Sequence, residues 1–257
     1  MARRGALRPP AEVRRMFDRI APRYDVMNRL MSLGRDVSWR RAAARAALAR
    51  RPSVVLDIAT GTGDLAFELV AQGASHVVAL DFSLEMLRHA ARKRLEKQVA
   101  RITLVCGDAM RLPFRDQSVD ACTIGFGLRN LPDYEAAIRE FARVLRPGGV
   151  LVILETTPFE GPFAPLLRLY FDRVVPWLGG LVSGDRAAYS YLPRSTAAFP
   201  RAPELAELLR TAGFADVHFR KLMAGTVALH VAVCGGAEVR ADTAAWPARA
   251  PREPMRP

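Results

Sequence analysis

Val54-Val55-Leu56-Asp57-Ile58-Ala59-Thr60-Gly61-Thr62-Gly63-Asp64 is the segment from which the fold follows. A short β-branched run after Pro52 ends on glycines that open a helix. Glycines there let the backbone turn sharply and let a ligand approach main-chain N–H groups. Gly61, Gly63 and Ala66 fit a G-x-G-x-x-G/A spacing, which many nucleotide-binding folds share. Asp64 reads equally well as a helix cap.

Working outward, three further positions narrow the ligand. Asp57, four residues before Gly61, closes the first strand and suits a ligand with a positive end better than a pyrophosphate. Asp81, 20 residues after Gly61, closes the second strand, where a carboxylate accepts two ribose hydroxyls. Gly107-Asp108-Ala109 closes the third, where an acid or amide binds the exocyclic amine of adenine. Ribose, adenine and a cationic amino-acid end together describe S-adenosylmethionine.

The rest of the chain alternates strand and helix. Strands are predicted at 53–58, 76–80, 102–105, 119–124 and 150–154, with helices at 64–72, 84–97 and 134–145. Arg146-Pro147-Gly148-Gly149 is expected to stop the last of these helices. Such alternation predicts an α/β fold, a parallel sheet with helices on both faces. A helix over 204–212 and closing strands at 215–221 and 226–234 complete it. Ahead of it, Val13, Met16, Phe17 and Ile20 form one helical stripe, and a second helix runs from about Trp39 to Leu48. Residues 164–182 are apolar but interrupted by Arg168, Asp172, Arg173 and Pro176, too broken to span a membrane. They read as a lid, a packed helix or an interfacial helix.

The chain has 257 residues and a net charge of +12, which invites a nucleic-acid reading. The charge is not spread evenly: residues 1–51 hold 14 Arg and four acids, whereas 52–235 hold 20 basic and 19 acidic residues. A nearly neutral body argues against a basic groove, and Gly125-Phe126-Gly127-Leu128 is unlike the Asn/Asp-Pro-Pro-aromatic segment of base-methylating enzymes. No secretory apolar stretch begins the chain, and the three cysteines form no CxxC pair, so a cytoplasmic setting with reduced thiols is expected. No cluster has metal-ligand spacing.

With Arg143-Val144-Leu145-Arg146-Pro147-Gly148-Gly149, the glycine loop and its acids resemble class I S-adenosylmethionine-dependent methyltransferases. More specific segments resemble the ubiquinone/menaquinone C-methyltransferase family. They are Met16 to Asp25 with Asn28, Leu33-Gly34-Arg35-Asp36 with Trp39-Arg40, Gly125 to Leu131, Tyr189 to Ser195 with Phe199-Pro200, and Gly225 to His230. The likeness covers about 13–235. It implies a Rossmann-like, seven-stranded, mostly parallel sheet with one antiparallel strand. It implies a single methyltransferase domain over 12–235, with a helical cap (12–51) and an acceptor-side insertion (about 156–200). A flexible leader (1–11) and a disordered tail (236–257) would flank it.

The resemblance places cofactor contacts at Thr62, Asp81, Asp108, Ala109 and Gly125, joining Asp57, Gly61 and Gly63 from the residue reading. Gly125 stands where members often carry Ser, so only backbone remains there. Glu155-Thr156-Thr157-Pro158 departs from the family's usual Glu-Phe-Ser before Pro, in a segment expected to face the acceptor. The implied acceptor is a prenylated hydroquinone, most simply demethylmenaquinol, methylated on a ring carbon; a benzoquinol of ubiquinone synthesis or another small molecule is the alternative. Arg129 is expected to stabilise the phenolate, Asn130 to orient it, and Tyr24, Asp25 and Tyr191 to line the acceptor site. A lipid-tailed acceptor makes peripheral membrane contact an expectation, through the basic N-terminus and 164–182. A homo-oligomer stays open, and nucleic acid is not an expected partner. A nicotinamide dehydrogenase and a non-catalytic binding protein are the rivals, separable by ligand binding and by methyl transfer.

Overall fold

The computed structural model describes residues 5–235. The strands are β1 (Val54–Ile58), β2 (His76–Asp81), β3 (Ile102–Cys106), β4 (Val119–Gly125), β5 (Leu145–Thr156), β6 (Phe214–Leu222) and β7 (Val227–Cys234). They form one sheet in the order β3-β2-β1-β4-β5-β7-β6. All pairings are parallel except those of β7, which runs against both β5 and β6. The seven strands and the single reversed one match the expectation.

The central strands are apolar on both faces because both are covered. Leu56 and Ile58 of β1 pack with Ile138 and Phe141 of α6 (Tyr134–Val144) and with Leu205 and Leu209 of α10 (Ala202–Thr211). Val55, one residue away and so on the other face, packs with Ala43 and Ala47 of α3 (Arg35–Leu48) and with Leu65 and Leu69 of α4 (Asp64–Ala71). A third cluster joins α1 (Pro10–Ile20), α2 (Tyr24–Met31), α5 (Leu84–Glu96) and α9 (Arg186–Ala198) through Met16, Met27, Met86 and Tyr189. The N-terminal helices and the 164–198 insertion therefore pack together above one end of the sheet.

Several boundaries differ from expectation. Part of the presumed leader is anchored: α1 starts at Pro10, the Ala6 N–H donates to the Leu131 carbonyl at 2.8 Å, and the Arg8 guanidinium lies 5.3 Å from the Tyr191 ring centre. Residues 1–4 and the expected tail over 236–257 lie outside the described residues. The helix α3 begins at Arg35, capped by left-handed Gly34, rather than at Trp39. Arg146-Pro147-Gly148-Gly149 does follow the end of α6, but as the opening of β5 rather than a loop. The insertion is helical: α7 (Ala164–Leu169), a π-helical turn (Tyr170–Val174), α8 (Val175–Ser183) and α9. Pro at early positions of α7 and α8 leaves their first turns intact, since those N–H groups lack intrahelical partners anyway.

The loops after β1 and β4 touch closely. A Cβ at Gly127 would lie 2.7 Å from the Ala59 Cβ and 3.1 Å from Ile124 Cγ1. Gly127→Ala is therefore expected to cost about 1–3 kcal/mol, read as a lowered melting temperature. An unchanged melting temperature would remove the packing argument.

Candidate active site

The strand order reverses between β1 and β4, and at such a point an open α/β sheet leaves a crevice at the strands' carboxyl ends. A cavity of about 780 Å³ occupies it, lined by Gly61 after β1, Asp81 and Phe82 after β2, Asp108 and Ala109 after β3, and Gly125 after β4. A second cavity of about 880 Å³ lies under the N-terminal helices, lined by residues including Asn28, Asp36, Arg129, Thr156, Tyr189 and Tyr191. Phe17, Tyr24, Phe126 and Asn130 line both. Two ligands seated in the two cavities would meet at that shared wall.

The first cavity fits S-adenosylmethionine. Asp81 is held by backbone: its carboxylate accepts from the Gly61 N–H at 2.7 Å and the Ser83 N–H at 2.8 Å. Asp108 accepts from the Met110 N–H at 2.8 Å, which fixes the turn carrying Ala109. Phe126, at φ 57, takes a left-handed conformation rare outside glycine, and its N–H donates to the Leu154 carbonyl at 2.7 Å. Strain of this kind persists where neighbours over-determine it, and here it shapes the shared wall.

Burial pushes the Asp81 carboxyl up to about 6, against the backbone N–H groups that lower it. A ribose hydroxyl donates to the ionised form. Affinity for S-adenosylhomocysteine is therefore expected to rise as pH climbs through about 6 and to level off above it. Titration calorimetry at about pH 5 should read roughly tenfold weaker binding than at about pH 7. A flat profile would separate Asp81 from the cofactor.

Other expected cofactor residues sit behind this surface. Asp57 lines neither cavity: its carboxylate accepts from the Thr60 and Thr123 hydroxyls, each at 2.6 Å, and burial pushes it up to about 6. It braces the glycine loop against β4. Gly63, at φ 87, caps α4, and the Thr62 hydroxyl donates to Asp25 at 2.5 Å. Thr62 and Gly63 line neither cavity.

That last bond belongs to an ionic chain absent from the sequence reading. Lys93 contacts Asp25 at 2.5 Å and Asp64 at 2.7 Å, Arg40 lies 3.3 Å from Asp64, and Arg40 pairs with Asp36. Burial raises the Asp64 carboxyl, but Arg40 and Lys93 overcome it and hold the group below its ordinary value. The chain fastens α2 and α3 to the glycine loop and ends in the second cavity at Asp36 and Arg40.

Arg129 and Asn130 are buried and line the second cavity, and Asn130 lines the first as well. Arg129 donates through one terminal nitrogen to Glu155 at 2.5 Å and to the Phe126 carbonyl at 2.8 Å. Glu155 also accepts from the Thr156 N–H at 2.7 Å. The Arg129 Nε and Asn130 Oδ1 are buried without a partner, and Asn130 Nδ2 donates to the Phe126 carbonyl at 3.2 Å. A free donor on one residue and a free acceptor on the next are the two kinds of group that a phenolic hydroxyl, which both donates and accepts, can satisfy. Tyr24 is half-buried between the cavities; loss of surrounding water pushes its phenol up while Arg129 opposes that shift. Tyr191 lines the second cavity, whereas Asp25 lines neither.

The ubiE/COQ5 methyltransferase family pattern matches residues 7–234. A demethylmenaquinone methyltransferase of Thermus thermophilus is 48% identical over 218 residues, covering 84% of this chain and 98% of its own. A protein of the same name from Deinococcus radiodurans is 48% identical, covering 85% of this chain and 91% of its own. The ubiquinone/menaquinone biosynthesis C-methyltransferase UbiE of Syntrophotalea carbinolica is 44% identical, covering 87% and 94%. Among solved structures, a Thermotoga maritima S-adenosylmethionine-dependent methyltransferase aligns with a TM-score of 0.60 at 19% identity, over 86% of this chain and 99% of its own. The SpnF cyclase aligns with a TM-score of 0.68 at 18% identity, over 91% and 99%. At such identity the structural likeness concerns the fold, and one neighbour titled a cyclase illustrates that fold alone does not set activity.

Proposed function

The chain belongs to the ubiE/COQ5 methyltransferase family, and from that premise we propose that it methylates a ring carbon of a prenylated hydroquinone, converting demethylmenaquinol to menaquinol. It is an S-adenosylmethionine-dependent C-methyltransferase. The observation that carries the acceptor reading is that Arg129 and Asn130, consecutive residues lining the second cavity, each keep a buried atom without a partner, Nε and Oδ1.

When bound, the cofactor supplies an electrophilic methyl group on a sulfonium. Asp81, Asp108-Ala109, Gly61 and Gly125 would hold it. A ring carbon attacks poorly while the adjacent hydroxyl keeps its proton. A free phenol titrates near pH 10, so about one molecule in a thousand is ionised at neutral pH. In this cavity Asn130 Oδ1 accepts the hydroxyl proton's hydrogen bond, and Arg129 Nε–H donates to the oxygen. The hydroxyl proton passes to solvent water, and the guanidinium faces the phenolate charge left behind, where a preorganised donor stabilises it. After methyl transfer the proton on the methylated ring carbon is released to water as the ring regains aromaticity. Glu155 fixes the guanidinium and balances part of its charge, so Arg129 acts as an aimed donor. Tyr24 and Phe126 position the ring against the first cavity, and orientation of this kind supplies several kcal/mol.

The departure noted at 155–158 falls where it bears on the acceptor. Thr156 lines the second cavity, and its hydroxyl lies 3.0 Å from that of Thr196. A polar Thr in place of Phe favours an acceptor with a hydrogen-bonding edge there. A deletion strain is expected to accumulate demethylmenaquinone among its extracted quinones. Accumulation of an unmethylated benzoquinol would assign the chain to ubiquinone synthesis instead. The acceptor's prenyl tail also sets the reaction beside a lipid bilayer. No helix among the described residues is long and apolar enough to cross one.

A further inference from the structure

The rod formed by α7, the π-helical turn and α8 turns apolar side chains to solvent. Phe163, Leu166, Leu169, Val174, Trp177 and Leu181 are exposed, five of them by more than half. They follow one another at steps of three, three, five, three and four residues. The step of five falls across the π-helical turn Tyr170–Val174. A π turn holds more residues than an α turn, so the longer step keeps the stripe on one face. The other side of the rod is buried at Ala164, Val175 and Gly179, and its Phe171 lines the acceptor cavity. Beside α8 runs α2, which exposes Val26 and Leu30, followed by Leu33. Single exposed apolar residues are ordinary on a protein surface, but a contiguous ridge marks an interaction site.

The charges around the ridge select its occupant. Segments 10–35 and 163–195, which form and border it, carry ten arginines against five acids. Three of those acids are already engaged: Asp18 with Ser83, Asp25 with Lys93 and Asp185 with Arg19. Arg168, Asp172 and Arg173 interrupt the stripe itself, leaving it net positive, and Arg23 reaches the ridge, donating to the Val182 carbonyl at 2.8 Å. A two-fold dimer through this face would set arginines against arginines. An anionic bilayer offers the opposite charge together with an apolar layer, and Trp177 is the side chain most suited to the boundary between them.

We infer that the α7–α8 ridge with the α2 edge docks on an anionic phospholipid surface, the rod lying in the plane of the interface. This deepens the proposed function and rests on it, since it places the acceptor cavity directly behind the docked face. A prenyl tail in the bilayer then reaches the cavity without crossing bulk water.

The test uses the full chain and vesicles of phosphatidylglycerol and phosphatidylcholine in equal parts. The unaltered protein floats with the vesicles. Leu166→Ser with Trp177→Ser, both at exposed positions away from the cavities, lowers partitioning at least about tenfold. The double variant methylates a water-soluble, short-tailed demethylmenaquinol at the unaltered rate, yet works about tenfold slower on a long-tailed quinol held in vesicles. Failure of the unaltered protein to float, or equal flotation of both forms, overturns the inference. So does a dimer that the double variant dissociates without any change in flotation, which would make this face a contact between copies. Inactivity of the unaltered protein on both quinols would overturn the acceptor reading instead, while flotation still decides the docking surface.

Discussion

Arg129→Ala is expected to lower turnover by about two to three orders of magnitude while cofactor affinity stays within about twofold. The asymmetry follows from where the side chain sits. Arg129 lines the acceptor cavity but not the cofactor cavity, and its buried Nε has no partner within the protein. A donor whose partner gains negative charge during the reaction contributes more in the transition state than in the ground state, so kcat falls further than KM rises. Arg129→Lys keeps a charge but replaces the planar fork with a single point, and is expected to restore only part of the rate. Steady-state kinetics beside calorimetry with S-adenosylhomocysteine reads both quantities. A variant that melts earlier yet turns over normally would reduce Arg129 to a structural ion pair.

Glu155→Ala is expected to have the largest effect on stability. Its carboxylate is buried at 1% exposure and accepts from the Arg129 guanidinium and the Thr156 N–H. Removing one partner of a buried pair leaves the other charge uncompensated, at a cost of about 3–5 kcal/mol. For a domain of this size that lowers the melting temperature by roughly 10 °C. Turnover should fall as well, because Arg129 loses the anchor that aims it. Glu155→Gln preserves shape and one acceptor, so it should melt between the two. Calorimetric melting of the three forms checks the order, and equal melting temperatures would show that the pair carries no net stability.

Sequence periodicity carried the sheet a long way. Short apolar runs at 53–58, 76–80 and 102–105 made β1, β2 and β3 legible, and the acids or glycines at or just beyond their ends marked the cofactor crevice. Five of the eight expected cofactor positions, Gly61, Asp81, Asp108, Ala109 and Gly125, line that crevice. Asp57 and Thr62 belong to the same loop, but their side chains are consumed by Thr60, Thr123 and Asp25, contacts that spacing does not reveal. Long-range ion pairs escaped for the same reason. Lys93 finds Asp25 and Asp64 only after α5 and α2 are folded onto the sheet. Glu155 stood in a segment noted for its departure from the family, yet nothing local marked it as the partner of Arg129, 26 residues away. The 164–182 segment looked broken because Arg168, Asp172, Arg173 and Pro176 interrupt its apolar residues, and the π-helical turn Tyr170–Val174, which local spacing does not announce, is what keeps the remaining apolar side chains on one face.

The decisive measurement is methyl transfer itself. Purified protein is incubated with S-adenosylmethionine carrying an isotopically labelled methyl group and with demethylmenaquinol in anionic vesicles, and the extracted quinone is analysed by tandem mass spectrometry. The account predicts menaquinone with the label in the naphthoquinone ring, and no label when the cofactor is omitted. Label on oxygen, or cofactor binding with no labelled quinone of any kind, would contradict it.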